Sequence, residues 1–308
     1  MAPPDAAVAH YEQQIRQAQA TVLLARRQWR RMTPDDLDRS WAEIVQRLTI
    51  MVASGMLGAA KAGAAYVPAV LGADAAVDGL IGTARFAQTA SDGRPLDSLL
   101  YSAVVRTKHS IGTGVAPQDA LHAGGEWLNT LVRTQVADAG RGATSVGIAA
   151  RSKVGYVRLI TPPCCQRCAV LAGKRFKWNT GFQRHPKCDC RHVPCADDAA
   201  ASRLSPPIQP DQVKDLTEAQ RRAVSDGADL NQVVNAARKG ARSLDGMTTT
   251  EGTTRRGYAA TVRGRRGGRR LTPDAIYRVA ASREEAVRLL ARNGYLIGDI
   301  DKIARSVA

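Results

Sequence analysis

All six cysteines of this 308-residue chain fall between Cys164 and Cys195, and two of its five histidines, His185 and His192, lie in the same stretch. This clustering restricts the fold more than any other feature of the sequence. Thiols and imidazoles gathered in this way are typical ligands of a metal ion that holds a short, loop-rich module together. We therefore expect a small module, organised by its cysteines, within a larger fold.

The spacing inside the cluster favours zinc. The run from Cys165 to Cys168 is a Cys-x-x-Cys turn, which lets two thiolates point at one ion. Sixteen residues later, His185 and Cys188 repeat the same two-residue gap and can complete a tetrahedron. The simplest zinc site is thus Cys165, Cys168, His185 and Cys188, and Cys190 competes with Cys188 for the last position.

Other interpretations of the cluster stay open. Cys164, Cys195 and His192 exceed what one ion needs; they could be spare ligands, packing residues or part of a second site. An even number of cysteines also allows a disulfide framework, and Cys-x-x-Cys alone is also a redox motif. A catalytic zinc would need an open position and a nearby carboxylate base, and only Asp189 lies inside the cluster. We expect a closed, structural zinc site without catalysis, with a zinc hydrolase as an alternative.

The sequence before the cluster predicts helices. Apolar residues recur at alternating spacings of four and three, which predicts a long amphipathic helix over residues 5–31 and allows self-association through the N-terminal helices. A second helix is expected to begin at Thr33-Pro34-Asp35, a third near Pro95 and a fourth near Pro117. Aromatic residues make up only 5% of the chain, so we expect helices that pack through small residues.

After residue 150 the pattern changes. Residues 155–161 alternate and are β-branched, which predicts a short strand, with residues 176–178 as its hairpin partner. Two further helical stretches are expected near 217–239 and 272–293.

The charge balance points to a polyanionic partner. There are 44 lysines and arginines against 28 acidic residues, a net charge of +16. DNA, RNA and an anionic membrane are candidates, and a solvated basic surface is the alternative. The first residues lack the pattern of a signal peptide, and no apolar run is long enough to span a membrane. We expect synthesis and assembly in a reducing cytoplasm.

Part of the positive charge is concentrated between residues 255 and 270, which contain no acidic residue. Arginines that approach phosphates release counterions, so we expect this glycine-rich segment to bind nucleic acid without sequence preference. A solvated linker and a contact with an acidic partner are the alternatives. The arginines concerned are Arg255, Arg256, Arg263, Arg265, Arg266, Arg269 and Arg270.

The cysteine segment is similar to that of a known family. Cys165-x-x-Cys168 followed by Ala169-Val170-Leu171-Ala172-Gly173, and then His185-Pro186-x-Cys188-Asp189-Cys190 and Pro194, resembles the phage Mu F-like head-morphogenesis family. Its members are minor capsid proteins of tailed bacteriophages. The resemblance covers about residues 155–195, and the helices from about 95 to 150 fit the family's layout more loosely. Cys164, His192 and Cys195 depart from the usual pattern, which leaves the final ligand set open.

The resemblance implies a structural head protein present in few copies. It would associate with the portal and other head proteins. It would be located in the host cytoplasm during assembly and then in the virion, in the capsid interior near packaged DNA. The alternative is a zinc-containing, non-specific DNA-binding protein that acts in DNA packaging or delivery. We expect no enzyme, because the chain lacks Gly-x-Ser-x-Gly, His-Glu-x-x-His and a phosphate-binding glycine-rich loop.

The expected fold class is mainly α, with a helical N-terminal domain, a small zinc-stapled module that contains β-strands, and a partly extended helical C-terminal region. The expected domains are 1–94, with long N-terminal helices; 95–200, a Mu F-like domain that ends in the Cys/His module; and 201–308, with a linker, the arginine-rich segment and C-terminal helices.

Overall fold

The protein falls into two compact units, and neither is continuous in sequence. One contains Met1–Leu159 and Gly173–Pro206, and the other contains Ile160–Ala172 and Pro207–Ala308. We call them the first and the second unit. The computed structural model describes residues 4–72, 81–151, 153–180, 190–197, 201, 204, 208–254, 257–264 and 267–297.

Long helices dominate the first unit, as the sequence predicts. They are α1 (Asp5–Trp29), α2 (Leu37–Leu71), α3 (Leu96–Gly112) and α4 (Pro117–Ala149). Pro117 occupies the first turn of α4, where its missing N–H costs no hydrogen bond. The start of α2 lies later than the sequence indicates, because the side chain of Asp36, and not that of Thr33, accepts a hydrogen bond from the first turn.

One apolar core joins these helices. Leu48 and Val52 of α2 are fully buried together with Leu100 of α3 and Val132 of α4, and Trp29 of α1 belongs to the same cluster. The expected domain boundary at residue 94 therefore does not divide the fold, because elements from both sides of it share this core.

Small residues allow the helices to approach closely, as the composition indicates. A Cβ atom at Gly140 of α4 would lie 2.5 Å from the side chain of Gln14 on α1, and one at Gly63 of α2 would meet the carbonyl of Gly140. Three helices thus converge where only a glycine fits. Nearer the start of α4, the indole of Trp29 packs on Gly125 and donates a hydrogen bond to the carbonyl of Leu121 at 3.0 Å.

A three-stranded antiparallel sheet completes the first unit. Its strands are β1 (Gly155–Leu159), β2 (Arg175–Phe176) and β3 (Arg191–Cys195), in the order β2-β1-β3. The pairing of β1 with β2 confirms the expected partner of β1 in part, because Phe176 alone of residues 176–178 belongs to β2. Strand β3 was not expected, because its residues were interpreted as possible ligands; it pairs with β1 along its whole length and is buried throughout.

The second unit is built from short elements. They are α5 (Gln166–Ala169), α6 (Glu218–Ser225), α7 (Leu230–Ala236), β4 (Thr248–Thr249), α8 (Tyr258–Val262), β5 (Arg270–Leu271), α9 (Pro273–Val279) and α10 (Arg283–Arg292), and β4 pairs with β5. The two expected C-terminal helices are both interrupted. Gly227, with a φ of 95°, ends one, and Ser282 caps a new helix in the other.

Helix α2 is, in the described part of the chain, the one helix long and apolar enough to cross a membrane by length and composition. A core helix of a soluble protein passes the same test. Ile44, Leu48 and Val52 of α2 are each fully buried in the core of the first unit.

Candidate functional site

The Cys-x-x-Cys turn belongs to the second unit. Cys165 caps the short helix α5, and its sulfur accepts a hydrogen bond from the backbone N–H of Cys168 at 3.4 Å. Cys165 is half-buried and Cys168 is buried. The turn that the motif predicts is therefore present and brings both cysteines into one tight segment.

Cys190 belongs to the first unit, where it directly precedes β3. It is 1% exposed, and the buried guanidinium of Arg158 donates a hydrogen bond to its sulfur at 3.2 Å. Its carbonyl accepts a hydrogen bond from Arg141 of α4, also at 3.2 Å. Contacts from β1 and from α4 therefore hold Cys190 in place.

Two of the expected zinc ligands, His185 and Cys188, lie outside the described residues. Within the part that the structure does describe, no three histidine, cysteine or acidic side chains are gathered closely enough to hold a metal ion. The donor set expected from the sequence, thiolates with one imidazole, suits zinc chemically. Of its described members, Cys165 and Cys168 share one turn, and the guanidinium of Arg158 contacts the sulfur of Cys190. The zinc site as a whole stays a prediction.

Cys164 and Cys195 have structural surroundings. The backbone N–H of Cys164 donates to the carbonyl of Gln212 at 2.9 Å, and its carbonyl accepts from the N–H of Lys214 at 2.8 Å. Burial raises the pKa of the Cys164 thiol. The thiol of Cys195 donates to the carbonyl of Asp197 at 2.9 Å, and burial raises its pKa as well. Among the roles left open by the sequence, packing fits these two neutral thiols best.

His192 is built into the interior of the first unit. It is 3% exposed, its Nε2 atom lies 3.3 Å from the hydroxyl of Ser145 on α4, and its ring meets that of Tyr156 edge-on at 4.6 Å. Burial, followed by the charges of Arg141 and Arg158, lowers its pKa to about 3. The imidazole is therefore neutral near pH 7 and connects β3 with α4.

The arginine-rich segment is only partly described, because Arg255, Arg256, Arg265 and Arg266 lie outside the described residues. Arg269 is exposed, and its guanidinium donates to the hydroxyl of Thr248 at 2.6 Å and to the carbonyl of Ala241 at 3.2 Å. Arg263 is half-buried and donates to the carbonyl of Arg269 at 2.9 Å.

Arg270 corrects the expectation that all seven arginines contact nucleic acid. It is 1% exposed, and its guanidinium donates to the carbonyls of Glu251 and Asn293, both at 2.8 Å. The guanidinium also lies over the ring of Tyr295, 4.3 Å from the centroid. A phosphate cannot reach this group, and Arg270 instead ties together the core of the second unit.

Three further basic residues lie beside the arginine-rich segment. The hydrogen bond from Arg269 to Ala241 brings this segment against the loop that carries Arg238, Lys239 and Arg242, all exposed. The carboxylate of Glu251 lies 4.0 Å from Arg238, at the limit of an ion pair. The carboxylate of Asp274 lies equally far, 4.0 Å, from Arg242. The sequence did not indicate these residues, because the helix expected over 217–239 placed Arg238 and Lys239 at its end. We call Arg238, Lys239, Arg242, Arg263 and Arg269 the basic ridge.

Comparison with known proteins adds no relative. No family model matches this chain, and no curated protein or solved structure is significantly similar to it.

Proposed function

We propose that this chain is a structural minor capsid protein of a tailed bacteriophage head, associated with the portal and with packaged DNA in the capsid interior. It performs no catalysis, and a structural zinc ion bound by Cys165, Cys168, His185 and either Cys188 or Cys190 is part of the proposal. The resemblance of the cysteine segment to the Mu F-like family supports the assignment to a phage head.

The observation that carries a structural role is the burial of the cysteine-rich segment where it joins the first unit. Cys190 is 1% exposed, and each residue of the following strand β3 is buried against β1 and the long helices. The hydroxyl of Tyr66 fixes this strand to α2 through the carbonyl of His192. A catalytic centre needs access for its substrate, whereas a segment enclosed in this way contributes to stability.

The basic ridge supports the DNA contact. Exposed guanidinium groups held by backbone and hydroxyl contacts present a fixed set of charges to a phosphate backbone, as Arg269 does. Nothing in this arrangement selects a base sequence, so the contact is expected to be non-specific.

Salt-dependent DNA binding tests this part. The full chain is titrated with two unrelated labelled duplexes over a range of salt concentrations. Replacing Arg238, Arg242 and Arg269 by glutamine should reduce the slope of log affinity against log salt by roughly 2 to 3. The control replaces Arg16, Arg39 and Arg47, three exposed arginines of the first unit, and removes the same charge. An equal loss in both triple variants would refute a DNA contact at the basic ridge.

The head assignment is tested in the phage that encodes the chain. Quantitative mass spectrometry of purified particles should find the chain in few copies relative to the major capsid protein, and it should co-purify with the portal ring. Absence from both the particles and the portal-containing assembly intermediates would contradict the proposal. The basic ridge also favours one alternative, a DNA-binding protein of packaging or delivery, which would bind DNA alone and be absent from the portal complexes.

A further inference from the structure

A cavity of about 570 Å³ lies in the first unit and is lined by α1, α4 and β3, with Tyr66 of α2. Its volume falls in the range of sites that take up small organic molecules. The residues of the proposed zinc site and of the basic ridge are not part of its lining.

The lining carries an excess of positive charge. Four arginines, Arg26, Arg133, Arg141 and Arg191, face a single carboxylate, that of Glu126. Glu126 binds Arg26 at 3.2 Å, and the lining as a whole holds more guanidinium groups than carboxylates. Asp138, which is not part of the lining, lies 3.9 Å from Arg141.

Two of these arginines are held in place by the fold. Arg191 is carried by β3 in fixed register opposite Leu159, and its guanidinium lies over the ring of Tyr11, 3.1 Å from the centroid. The guanidinium of Arg141 is oriented by its hydrogen bond to the carbonyl of Cys190. Guanidinium groups oriented in advance lose less freedom when they bind a carboxylate or phosphate.

A buried amide gives a second requirement for the ligand. Asn129 lines the cavity and is 6% exposed; its amide nitrogen donates to Glu126 at 3.0 Å. Its buried carbonyl oxygen has no hydrogen-bond partner among the described residues. A buried acceptor without a donor costs free energy, and a ligand with a hydroxyl or amino group would supply that donor.

We propose that this cavity binds a small organic anion that also carries a hydrogen-bond donor. One carboxylate or phosphate group lies at Arg141 and Arg191. A second can reach Arg133, eight residues from Arg141 and therefore about 12 Å away along the axis of α4. The donor group faces Asn129.

Binding of citrate and of fructose 1,6-bisphosphate to the full chain, measured by calorimetry, tests the proposal. Each carries more than one anionic group and at least one hydroxyl group, and the two distinguish carboxylate from phosphate chemistry. Arg133 is exposed, so Arg133→Gln leaves the fold intact, and we expect it to weaken binding of the preferred anion about tenfold. Arg191→Gln should weaken binding further. Arg16→Gln removes the same charge from an exposed part of α1 outside the cavity and should have no effect.

Hydrogen exchange locates the binding site. The preferred anion should slow exchange in residues 10–26 and 126–144, which line the cavity. The proposal is overturned if neither anion binds at millimolar concentration, or if Arg16→Gln weakens binding as much as Arg133→Gln. Arg133→Gln leaves the basic ridge intact, so this variant should bind DNA with the same affinity as Arg16→Gln. A failure of anion binding is therefore distinguishable from a failure of the proposed DNA contact.

Discussion

The hydroxyl of Tyr66 donates a hydrogen bond to the backbone carbonyl of His192 over 3.1 Å, and this bond joins helix α2 to strand β3. The ring of His10 stacks on Tyr66 with 4.1 Å between the centroids. Helix α1, helix α2 and the strand after the cysteine motif therefore meet at one residue, Tyr66, which is 4% exposed.

Tyr66→Phe should destabilise the first unit by about 1–2 kcal/mol, because the ring stack remains while a buried carbonyl loses its donor. Trp29, Trp41, Trp127 and Trp178 all belong to the first unit, so denaturant unfolding followed by tryptophan fluorescence reports on this unit. Tyr101→Phe is the control, since it removes an exposed hydroxyl hydrogen bond to Asp38. An equal unfolding free energy for the two variants would show that the bond to His192 contributes no more than an exposed one.

Acid should weaken the first unit through His10. Burial, followed by the charge of Arg191, lowers the pKa of His10 from 6.5 to about 4. The unfolded chain then takes up a proton near pH 6.5 and the folded chain only near pH 4. The stabilisation is present above pH 6.5 and is lost as the pH falls towards 4, by roughly 2–3 kcal/mol.

The comparison with His10→Gln isolates this effect, because all other titrating groups are common to both chains. Unfolding free energies at pH 7 and pH 4.5, from tryptophan fluorescence, should fall further in the natural chain than in the variant. The charged and titratable groups that face His10 are Tyr66 and Arg191. Parallel losses in the two chains would exclude His10 as the source.

Arg270→Met should destabilise the second unit by about 3 kcal/mol or more, because it leaves the carbonyls of Glu251, Asn293 and Gly294 without their donor. Hydrogen exchange in α10 measures this loss. Arg269→Gln, a change at an exposed arginine, should leave exchange unaltered and weaken DNA binding. If Arg270→Met left the stability of the second unit unchanged and weakened DNA binding as much as Arg269→Gln, Arg270 would contact nucleic acid, as its sequence predicts.

Metal analysis tests the zinc site. Protein purified under reducing conditions should contain about one zinc ion per chain, and the double change Cys165→Ser, Cys168→Ser should remove it. Cys195→Ser should retain the metal, because the Cys195 thiol is neutral and bound to the carbonyl of Asp197. Metal-free natural protein would remove zinc from the proposal.

The long helices could be predicted because their signals are local. Pro117 marks the start of α4, and the apolar spacing in α1 repeats over several turns. Strand β1 is likewise indicated by the alternation of its own residues. Such features do not depend on distant parts of the chain.

Strand β3 and the role of Arg270 could not be predicted in this way. Arg191, His192 and Cys195 look like surface or ligand residues until β1 and the helices enclose them. The charge pattern of the sequence gives no difference between Arg269 and Arg270. In the structure Arg269 is exposed, whereas Arg270 is 1% exposed. Only the carbonyls of distant loops distinguish them.

The divided second unit has a consequence for translation. The segment Ile160–Ala172 leaves the ribosome between two parts of the first unit, but Cys164 pairs with the backbone at Gln212 and Lys214, which are made later. Strands β1, β2 and β3 are complete before that point. The nascent chain can thus complete its three-stranded sheet before the partners of the segment Ile160–Ala172 are synthesised. A fragment ending at residue 206 would contain the sheet but lack those partners.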